Sequence, residues 1–368
     1  MKVICEQKDF LEALNIVGRA VTPNTTLPVL NNILVKAEGK NLFFSATNLE
    51  IAIRYFIPCE VRNEGSITVP AKLLMSYISL LPDGKLEVST EEGLQFAVKS
   101  KNSQTKMKGV HADEFPVIPE VEKGSLFKIP VKQLQVAVDQ VAFAASQNPS
   151  RPVLAGVLFV TEKDVLRFVS TDSYRLAERK IHLPAPVETA ISCIVPARTT
   201  SELGKLVSKV NVEFVETRMS KNQVLFKIGD IELISRLIEG KFPDYERIIP
   251  KASKTKVEVS NTDLSQVVKR VSLFARENNN SIKISVTNDG KMNVSTDETK
   301  IGEEKADLDV TLQGENNKVA LNAQYLLDVL ATLHEEKLYL EFNDKVSPIV
   351  VRPCKSQDYV YIIMPLKV

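Results

Sequence analysis

The sequence is poor in the residues that build metal, redox and nucleotide sites. It has no tryptophan and three histidines, and its four cysteines, Cys5, Cys59, Cys193 and Cys354, form no CxxC pair. This spacing argues against a zinc site or a disulfide framework. The chain also lacks a P-loop and a GxGxxG motif, so no nucleotide-binding loop is predicted. We therefore expect no metal and no cofactor.

Two further absences concern location and charge. No apolar run approaches the roughly 20 residues that a membrane helix needs, and the first residues, MKVICEQ, lack the form of a signal peptide. We therefore expect a cytoplasmic protein. The 47 lysines and arginines nearly balance the 46 aspartates and glutamates, and the net charge is +1. This balance argues against a highly basic protein that reads DNA sequence, but it permits basic residues concentrated on one face.

The chain does contain an internal repeat. A strand-like run that ends in Thr followed by Asp or Asn recurs with Thr47, Thr171 and Thr296 in matching positions, 124 and 125 residues apart. The 368 residues divide into three parts of nearly this length. Such copies are much larger than solenoid repeats of roughly 20–50 residues. We therefore predict three domains, at residues 1–122, 123–251 and 252–368.

Each third also repeats the same helix pattern. A first amphipathic helix has apolar residues at i, i+4, i+7 and i+11, and a second helix follows Pro70, Pro196 or Asn322. We predict Asp9 as the cap of the first helix in the chain, and a cap within 261–263 for the first helix of the last third. With about eight strands per copy, the predicted fold class is α+β. The stripes are Phe10, Leu14, Val17 and Val21; Leu134, Val138, Val141 and Ala145; and Leu264, Val268, Val271 and Ala275.

Copies of one module tend to reuse one contact surface. Head-to-tail contacts of this kind either close into a ring or continue as a filament. A ring of three such modules would leave a narrow hole, whereas six modules from two chains would leave a wide one. A closed ring is therefore one arrangement that is compatible with the repeat.

Four stretches carry a more specific resemblance: TDSYRLA at 171–177, FPDYER at 242–247, the helix starts after Pro70 and Pro196, and VYIIMPL at 360–366. In these, and along its whole length, the chain resembles the bacterial DNA sliding clamps, the beta subunits of DNA polymerase III. The resemblance implies three clamp domains, each with two helices on antiparallel sheets, in a head-to-tail homodimeric ring around double-stranded DNA. It also implies a processivity factor for DNA replication, without catalysis, that tethers the replicative polymerase and other replication and repair proteins and is opened by a clamp loader.

The family binds short partner peptides in a pocket between its second and third modules. Aliphatic and Met walls there accept a partner's Leu or Phe, while Arg and Asn bind its backbone or a Gln side chain. Ser173 and Tyr174 depart from the small and imidazole residues common in the family. Leu154, Leu176, Val346 and Ile362 could instead be module core. The matching positions are Leu154, Thr171, Ser173, Tyr174, Arg175, Leu176, Pro243, Arg247, Ile248, Asn322, Tyr325, Val346, Pro348, Ile362, Ile363, Met364 and Pro365.

The resemblance also implies DNA-facing cations and a ring seam. Lys72, Arg198 and Lys205 match positions that face the central channel, although a solvated helix face is the simpler alternative for each. Leu273 and Phe274 match the dimer interface. Phe274 stands where the other two copies have alanine, which would suit a contact that the internal junctions do not use, although a core position is the alternative.

Two other functions are compatible with parts of the sequence. One is a peptide-binding scaffold of three modules with no role on DNA. The other is a hydrolase that uses Ser170 or Ser173 with Asp172 and His182, which the absence of nucleophile-elbow glycines argues against. The recurrence of Asn48 and Asp297 in the repeat instead predicts side chains that form turns with their own backbone.

Overall fold

The computed structural model describes residues 1–22, 27–121, 124–148 and 150–366. Glu122 and Lys123, at the first predicted domain boundary, lie outside them. The chain forms two compact units, residues 1–131 with 202–237 and residues 132–201 with 238–368. Among the described residues, no helix is long and apolar enough to cross a membrane.

The elements repeat three times, and the prediction of two helices and about eight strands per copy is confirmed. The six helices of the described residues are α1 (Gln7–Val17), α2 (Ala71–Ser79), α3 (Val131–Val141), α4 (Ala197–Val207), α5 (Asn261–Ala275) and α6 (Ala323–Thr332). The first copy contains β1 (Lys2–Glu6), β2 (Asn32–Glu38), β3 (Asn41–Thr47), β4 (Ile51–Pro58), β5 (Glu60–Asn63), β6 (Gly65–Pro70), β7 (Lys85–Glu91), β8 (Gln95–Lys99) and β9 (Gln104–Lys108). The second contains β10 (Ser125–Pro130), β11 (Gly156–Glu162), β12 (Val165–Thr171), β13 (Arg175–His182), β14 (Ser192–Pro196), β15 (Phe214–Met219), β16 (Gln223–Ile228) and β17 (Ile231–Arg236). The third contains β18 (Thr255–Ser260), β19 (Ser281–Thr287), β20 (Lys291–Ser295), β21 (Lys305–Asp309), β22 (Thr311–Gly314), β23 (Asn317–Asn322), β24 (Lys337–Phe342), β25 (Ile349–Pro353) and β26 (Tyr359–Ile363).

The predicted helix starts need correction. The chain passes directly from β1 into α1, so this helix begins two residues before Asp9, and Glu6 occupies the cap position without a side-chain hydrogen bond. In the third copy the cap is Ser260, one residue before the predicted cluster, and its hydroxyl accepts a hydrogen bond from the Asp263 N–H. A strand that runs straight into a helix leaves no loop in which a separate capping residue could stand.

Two of the predicted apolar stripes are too long. Val21 lies beyond α1 and Ala145 beyond α3, because 3-10 turns at Gly18–Ala20 and Ala142–Ala144 end these helices. The stripe of α5 is correct, since Ala275 is its last residue and is buried. A 3-10 turn has three residues per turn, so a helical period does not continue through it.

The first unit contains two antiparallel sheets. One has the strand order β5-β1-β7-β8-β9, and the other has the order β10-β15-β16-β17-β4-β3-β2-β6. Within the second sheet β17 of the middle copy pairs with β4 of the first copy, in register from Glu232↔Arg54 to Ser235↔Ile51. Helix α1 packs over this unit's core, where Phe10 meets Phe44 edge-to-face with ring centroids 5.1 Å apart.

The second unit repeats this plan. Its nine-stranded sheet has the order β14-β11-β12-β13-β26-β25-β24-β18-β22, and its four-stranded sheet has the order β21-β20-β19-β23. Here β13 of the middle copy pairs with β26 of the third copy, in register from Arg175↔Ile363 to Arg179↔Tyr359. The same two strand positions of the repeat therefore join copies in both units, as β4 with β17 and as β13 with β26.

The predicted turn-forming side chains are correct in two copies and wrong in the third. In the first copy the Asn48 carboxamide oxygen accepts hydrogen bonds from the Glu50 and Ile51 N–H groups. In the third copy Asp297 instead pairs with the Lys283 ammonium group. The connection from β20 to β21 is longer than its counterparts, so the side chain that closes a tight turn elsewhere has no such turn to close.

Candidate functional site

The turn between β12 and β13 is fixed by its own side chains. The Thr171 hydroxyl donates to the Arg175 carbonyl oxygen at 2.6 Å and accepts from the Ser173 N–H at 3.1 Å. The Asp172 carboxylate accepts from the N–H groups of Tyr174 and Arg175 at 2.9 and 3.0 Å. Ser173 has a φ of 80°, a left-handed conformation that these four hydrogen bonds hold. The turn therefore presents the Tyr174 side chain, which is 61% exposed.

Arg175 ties this turn to helix α6. Its Nε donates to Asp172 at 2.9 Å, a terminal nitrogen donates to the Asp328 carboxylate, and another donates to the Phe143 carbonyl oxygen at 3.0 Å. The guanidinium also lies over the Tyr325 ring, 4.7 Å from its centroid. Its side chain is only 12% exposed. Burial alone would lower the pKa of this guanidinium, but the surrounding Tyr361, Asp328 and Asp172 raise it, so Arg175 stays charged.

These contacts give Arg175 a structural role that the sequence did not indicate. Replacing it with methionine leaves Asp172 and Asp328 half-buried without their cation, and we expect a loss of about 2–4 kcal/mol in the free energy of unfolding. The matched control is Arg247→Met, because Arg247 pairs with Asp244 at 2.6 Å but is 87% exposed. The control should lose less than about 1 kcal/mol.

Urea unfolding followed by circular dichroism measures both variants of this arginine pair. Equal urea midpoints for the two variants would contradict the structural role of Arg175. Loss of an arginine that donates to three acceptors should lower the free energy of unfolding more than loss of one that pairs with a single exposed carboxylate. A lower midpoint for the Arg175 variant alone is the expected result.

The last described segment of the chain closes over the same turn. Ile362 and Ile363 are buried in β26, whereas Met364 and Pro365 are half-buried beyond it. The Met364 N–H donates to the Tyr174 carbonyl oxygen at 2.8 Å, and the Leu366 N–H donates to the Ala320 carbonyl oxygen at 2.8 Å. The terminal segment therefore continues the sheet pairing of β26 and forms a wall beside Tyr174.

Beneath this wall lies an apolar cluster. Leu154, Leu176 and Ile362 are buried in it, at 4%, 2% and 1% exposure, together with Phe242 and Tyr245. These three leucine and isoleucine side chains are therefore buried in the structure as it stands. They form the floor of the site, and the accessible groups belong to other residues.

The accessible apolar groups come from two loops. Ile248 is 41% exposed and Val346 is 73% exposed. Pro243 is exposed and Pro348 is half-buried. Exposed aliphatic side chains on short loops are available to a ligand, which buried ones are not.

The two remaining predicted residues are engaged within the fold. Asn322 caps α6, where its side-chain oxygen accepts from the Gln324 N–H at 2.8 Å and its side-chain amide donates to the Asn279 carbonyl oxygen. Tyr325 is half-buried under Arg175. The structure thus brings all 17 predicted pocket residues into one unit and divides them into a floor, a supporting network and an accessible set.

The predicted DNA-facing cations are exposed. Lys72 lies on α2, and Arg198 and Lys205 lie on α4. The Lys205 ammonium group donates to the Glu202 carboxylate at 2.8 Å and is still 56% exposed. Burial would raise the pKa of Glu202, but hydrogen bonds from Lys205 and Arg19 outweigh it, so this pKa is lowered.

The predicted seam residues lie at the end of α5. Leu273 is 52% exposed and Phe274 is half-buried. The Phe274 ring packs against Gly302, close enough that a Cβ at that position would be in van der Waals contact with the ring. The neighbouring Ile301 is 54% exposed. The three side chains form an apolar patch beside β21, so a purely core role for this pair does not fit the structure.

The hydrolase alternative fails on geometry. The Ser170 hydroxyl donates to the Val141 carbonyl oxygen, and Asp172 is held by Arg175. His182 pairs with Val165 across β12 and β13, whereas Ser170 pairs with Ala177. Five residues of strand, about 17 Å, separate Ser170 from His182, and Ser173 lies in the turn at the opposite end of this hairpin.

Sequence reasoning missed the acceptors of Arg175 and a group of lysines near Val346. Phe143 and Asp328 contact Arg175 from other elements, and a single sequence contains no signal for such long-range partners. Lys283, Lys318 and Lys345 lie on separate segments and line one cleft with Val346 and Leu366. Only the fold brings these three cations together.

Comparison with known proteins gives three consecutive family matches. Residues 1–119 match the N-terminal domain of the DNA polymerase III beta subunit, residues 128–244 its central domain, and residues 246–367 its C-terminal domain. The chain is 32% identical over 377 aligned residues to the beta sliding clamp of Staphylococcus epidermidis and 31% identical to that of Staphylococcus aureus. Each alignment covers 100% of this chain and 99% of the relative.

Solved structures agree with these matches. The DNA polymerase sliding clamp of Bacillus subtilis superposes with a TM-score of 0.96 at 28% identity, over 100% of this chain and 99% of that one. The DNA polymerase III subunit beta of Pseudomonas aeruginosa gives 0.95 at 28% identity, with both chains fully covered. The three-domain α+β clamp fold expected from the sequence is therefore confirmed.

Proposed function

Because this chain belongs to the DNA polymerase III beta subunit family of sliding clamps, we propose that it forms a homodimeric ring that encircles double-stranded DNA. The ring tethers the replicative polymerase and other DNA enzymes, and so raises their effective concentration at the DNA. The family is that of a processivity factor and not of a catalyst. The predicted domains 1–122, 123–251 and 252–368 are the repeating units of the proposed ring.

The observation that carries the ring is a pair of edge strands. Two repeat positions join copies inside each unit, as β4 with β17 and as β13 with β26. Two strands remain at these repeat positions. They are β21 of the third copy, which corresponds to β4 and β13, and β9 of the first copy, which corresponds to β17 and β26. Each ends its sheet among the described residues. Pairing β21 of one subunit with β9 of another repeats the same junction head-to-tail and closes a ring of six copies.

Helix contacts at the internal junctions support the same seam. Arg19, just after the first helix of copy one, bonds Glu202 on the second helix of copy two at 3.1 Å. Gln140, on the first helix of copy two, bonds the Thr332 carbonyl oxygen on the second helix of copy three at 3.4 Å. The second helices of successive copies start 126 residues apart. Thr332 of the third copy therefore corresponds to Leu80 of the first copy, two repeats earlier. The Leu80 side chain is 84% exposed.

We therefore assign Leu80 of one subunit as the contact for the Leu273 and Phe274 patch of the other. Leu80 and Leu273 are exposed in the single chain, and the apolar Phe274 beside Leu273 is half-buried. The internal junctions join the corresponding first and second helices by a salt bridge and by a hydrogen bond. The proposed seam between subunits is apolar and so differs from the internal junctions. This agrees with the bulky Phe274 at a position where the other two copies have alanine.

DNA contacts in such a ring are weak and independent of sequence. Lys72, Arg198 and Lys205 are exposed on second helices. Each one that neutralises a phosphate steepens the fall of log affinity with log salt concentration by about 0.9. A ring cannot leave DNA that it surrounds, so tight contacts are not required and sliding stays possible. The net charge of +1 is compatible with this arrangement.

The partner-peptide pocket of the proposed ring is the surface around Tyr174. Its floor is Leu154, Leu176 and Ile362, its walls are Val346 and the terminal segment from Met364, and Arg175 holds the turn in place. A partner's Leu or Phe would displace water from this apolar surface. We further propose that the clamp loader and the polymerase share this pocket and that the ring acts in the cytoplasm.

Retention on circular DNA tests this function against its rival, a peptide-binding scaffold without a DNA role. A ring loaded on circular duplex should stay bound at about 0.5 M NaCl, where charges more than about 5 Å apart are screened. A scaffold would show no retention at any salt concentration, and a protein bound by direct charge contacts would dissociate as salt rises.

A further inference from the structure

A cleft of about 480 Å³ adjoins the terminal wall of the second unit. It is lined by the apolar residues Val319, Ala320, Val346 and Leu366 and by the cations Lys283, Lys318 and Lys345. In the four-stranded sheet Lys283 pairs with Ala320, and Ser285 pairs with Lys318. Lys283 and Lys318 therefore project from the same face of the sheet. The third lysine comes from the loop between β24 and β25.

Two of the three cations are available to a ligand. Lys283 pairs with Asp297 and is 22% exposed. Lys318 and Lys345 are exposed, and among the described residues neither has a carboxylate oxygen within 4.0 Å. Asp344, the acidic neighbour of Lys345 in sequence, uses its carboxylate to accept the N–H groups of Val346 and Ser347 at 3.0 and 2.8 Å.

The cleft is continuous with the partner-peptide pocket. Val346 lines the cleft and belongs to the accessible set of the pocket, and Leu366 continues the terminal wall from Met364. We propose that this lysine cleft binds an acidic segment of the partner peptide, beside the apolar residues that enter the pocket. The inference rests on the proposed peptide site and adds charge specificity to it.

The aliphatic lining of the cleft favours an acidic peptide over a nucleic acid strand. No aromatic side chain is among the lining residues, whereas sites for single-stranded nucleic acid use aromatic rings on which bases stack. The hydrogen bond from Leu366 to Ala320 places main chain of the terminal wall at the cleft. Two free ammonium groups beside an aliphatic lining suit Asp or Glu side chains that flank apolar residues.

The test uses a labelled anchor peptide that contains one Gln and two Leu and ends in Phe. One pair of peptides extends this anchor at its amino end, with four Asp or with four Asn. A second pair carries the same extensions after the Phe. Fluorescence anisotropy should show one Asp peptide binding about three- to tenfold more tightly than its Asn partner, from two exposed charge contacts. The Lys318→Gln, Lys345→Gln double variant should remove that difference and leave the Asn peptide unchanged.

A charge-matched control separates the cleft from net charge. Lys251 and Lys355 are exposed and do not line the cleft, so the Lys251→Gln, Lys355→Gln variant should keep the Asp preference. Equal affinities of Asp and Asn peptides for the unmodified protein would overturn the cleft while leaving the pocket intact. Failure of every peptide to bind would overturn both. A labelled oligothymidylate whose affinity falls in the Lys318 and Lys345 variant, with peptide binding unchanged, would assign the cleft to nucleic acid instead.

Discussion

Replacing Leu273 or Phe274 with aspartate is expected to convert the protein from a dimer to a monomer at micromolar concentration. Leu273 is exposed and Phe274 is half-buried, and both lie at the end of α5, near the edge strand β21. A carboxylate there would be buried without a partner in the seam. Loss of a central apolar anchor costs about 3 kcal/mol or more, which raises the dissociation constant at least about a hundredfold. Sedimentation equilibrium measures the change against twice the 41.0 kDa chain mass.

Two further variants make this result specific to the seam. Leu80→Asp should dissociate the dimer as Leu273→Asp does, because Leu80 is the assigned contact on the other subunit. Leu126→Asp is the matched control, since Leu126 is also an exposed leucine, at 59%, and lies on β10 away from the assigned seam. A dimer that persists in the Leu273 and Phe274 variants, or one that is lost only in the control, would show that the seam lies elsewhere.

Deleting residues 364–368 should abolish peptide binding while the dimer persists. The deletion removes the wall formed by Met364 and Leu366 and the hydrogen bonds that they donate to Tyr174 and Ala320. Strand β26 remains, because Ile363 still pairs with Arg175. Loss of an apolar wall of this kind should weaken binding of the anchor peptide at least about a hundredfold, or about 3 kcal/mol.

A pair of exposed valines supplies the point-substitution control. Val346→Asp changes a side chain of the pocket that is 73% exposed, and it should weaken the anchor peptide without changing stability. Val117→Asp changes one that is 93% exposed and is not among the predicted pocket residues, and it should bind like the unmodified protein. If the deletion instead splits the dimer and leaves peptide binding unchanged, the terminal segment belongs to the seam.

The parts of the fold that depend on local pattern could be predicted from the sequence. The 124- and 125-residue spacing of Thr47, Thr171 and Thr296 predicts the three copies. The apolar stripes predict the first helix of each copy, and the starts after Pro70, Pro196 and Asn322 predict the second. Asn48 and Asp172 form the predicted turns because an Asx side chain reaches its own backbone. Asp297 fails because its loop is longer, which the repeat spacing does not reveal.

The parts that depend on long-range contacts could not be predicted. Arg175 was expected to bind a ligand, and the structure instead surrounds it with Asp172, Asp328 and Phe143. Two of these acceptors lie far along the chain, and no local pattern links them to the turn. Lys318 and Lys345 were not singled out, because a lysine on a strand and one in a loop become neighbours only when the sheet forms.

The central claim is that the protein stays on DNA by topology and not by affinity. The most direct measurement loads labelled protein onto circular duplex with an ATP-driven loader, raises the salt to about 0.5 M, and then cuts the circle at one site. The proposed ring predicts retention on the uncut circle and rapid loss after the cut, as the ring slides off the ends. Retention on linear DNA, or loss from the intact circle as the salt rises, would contradict it.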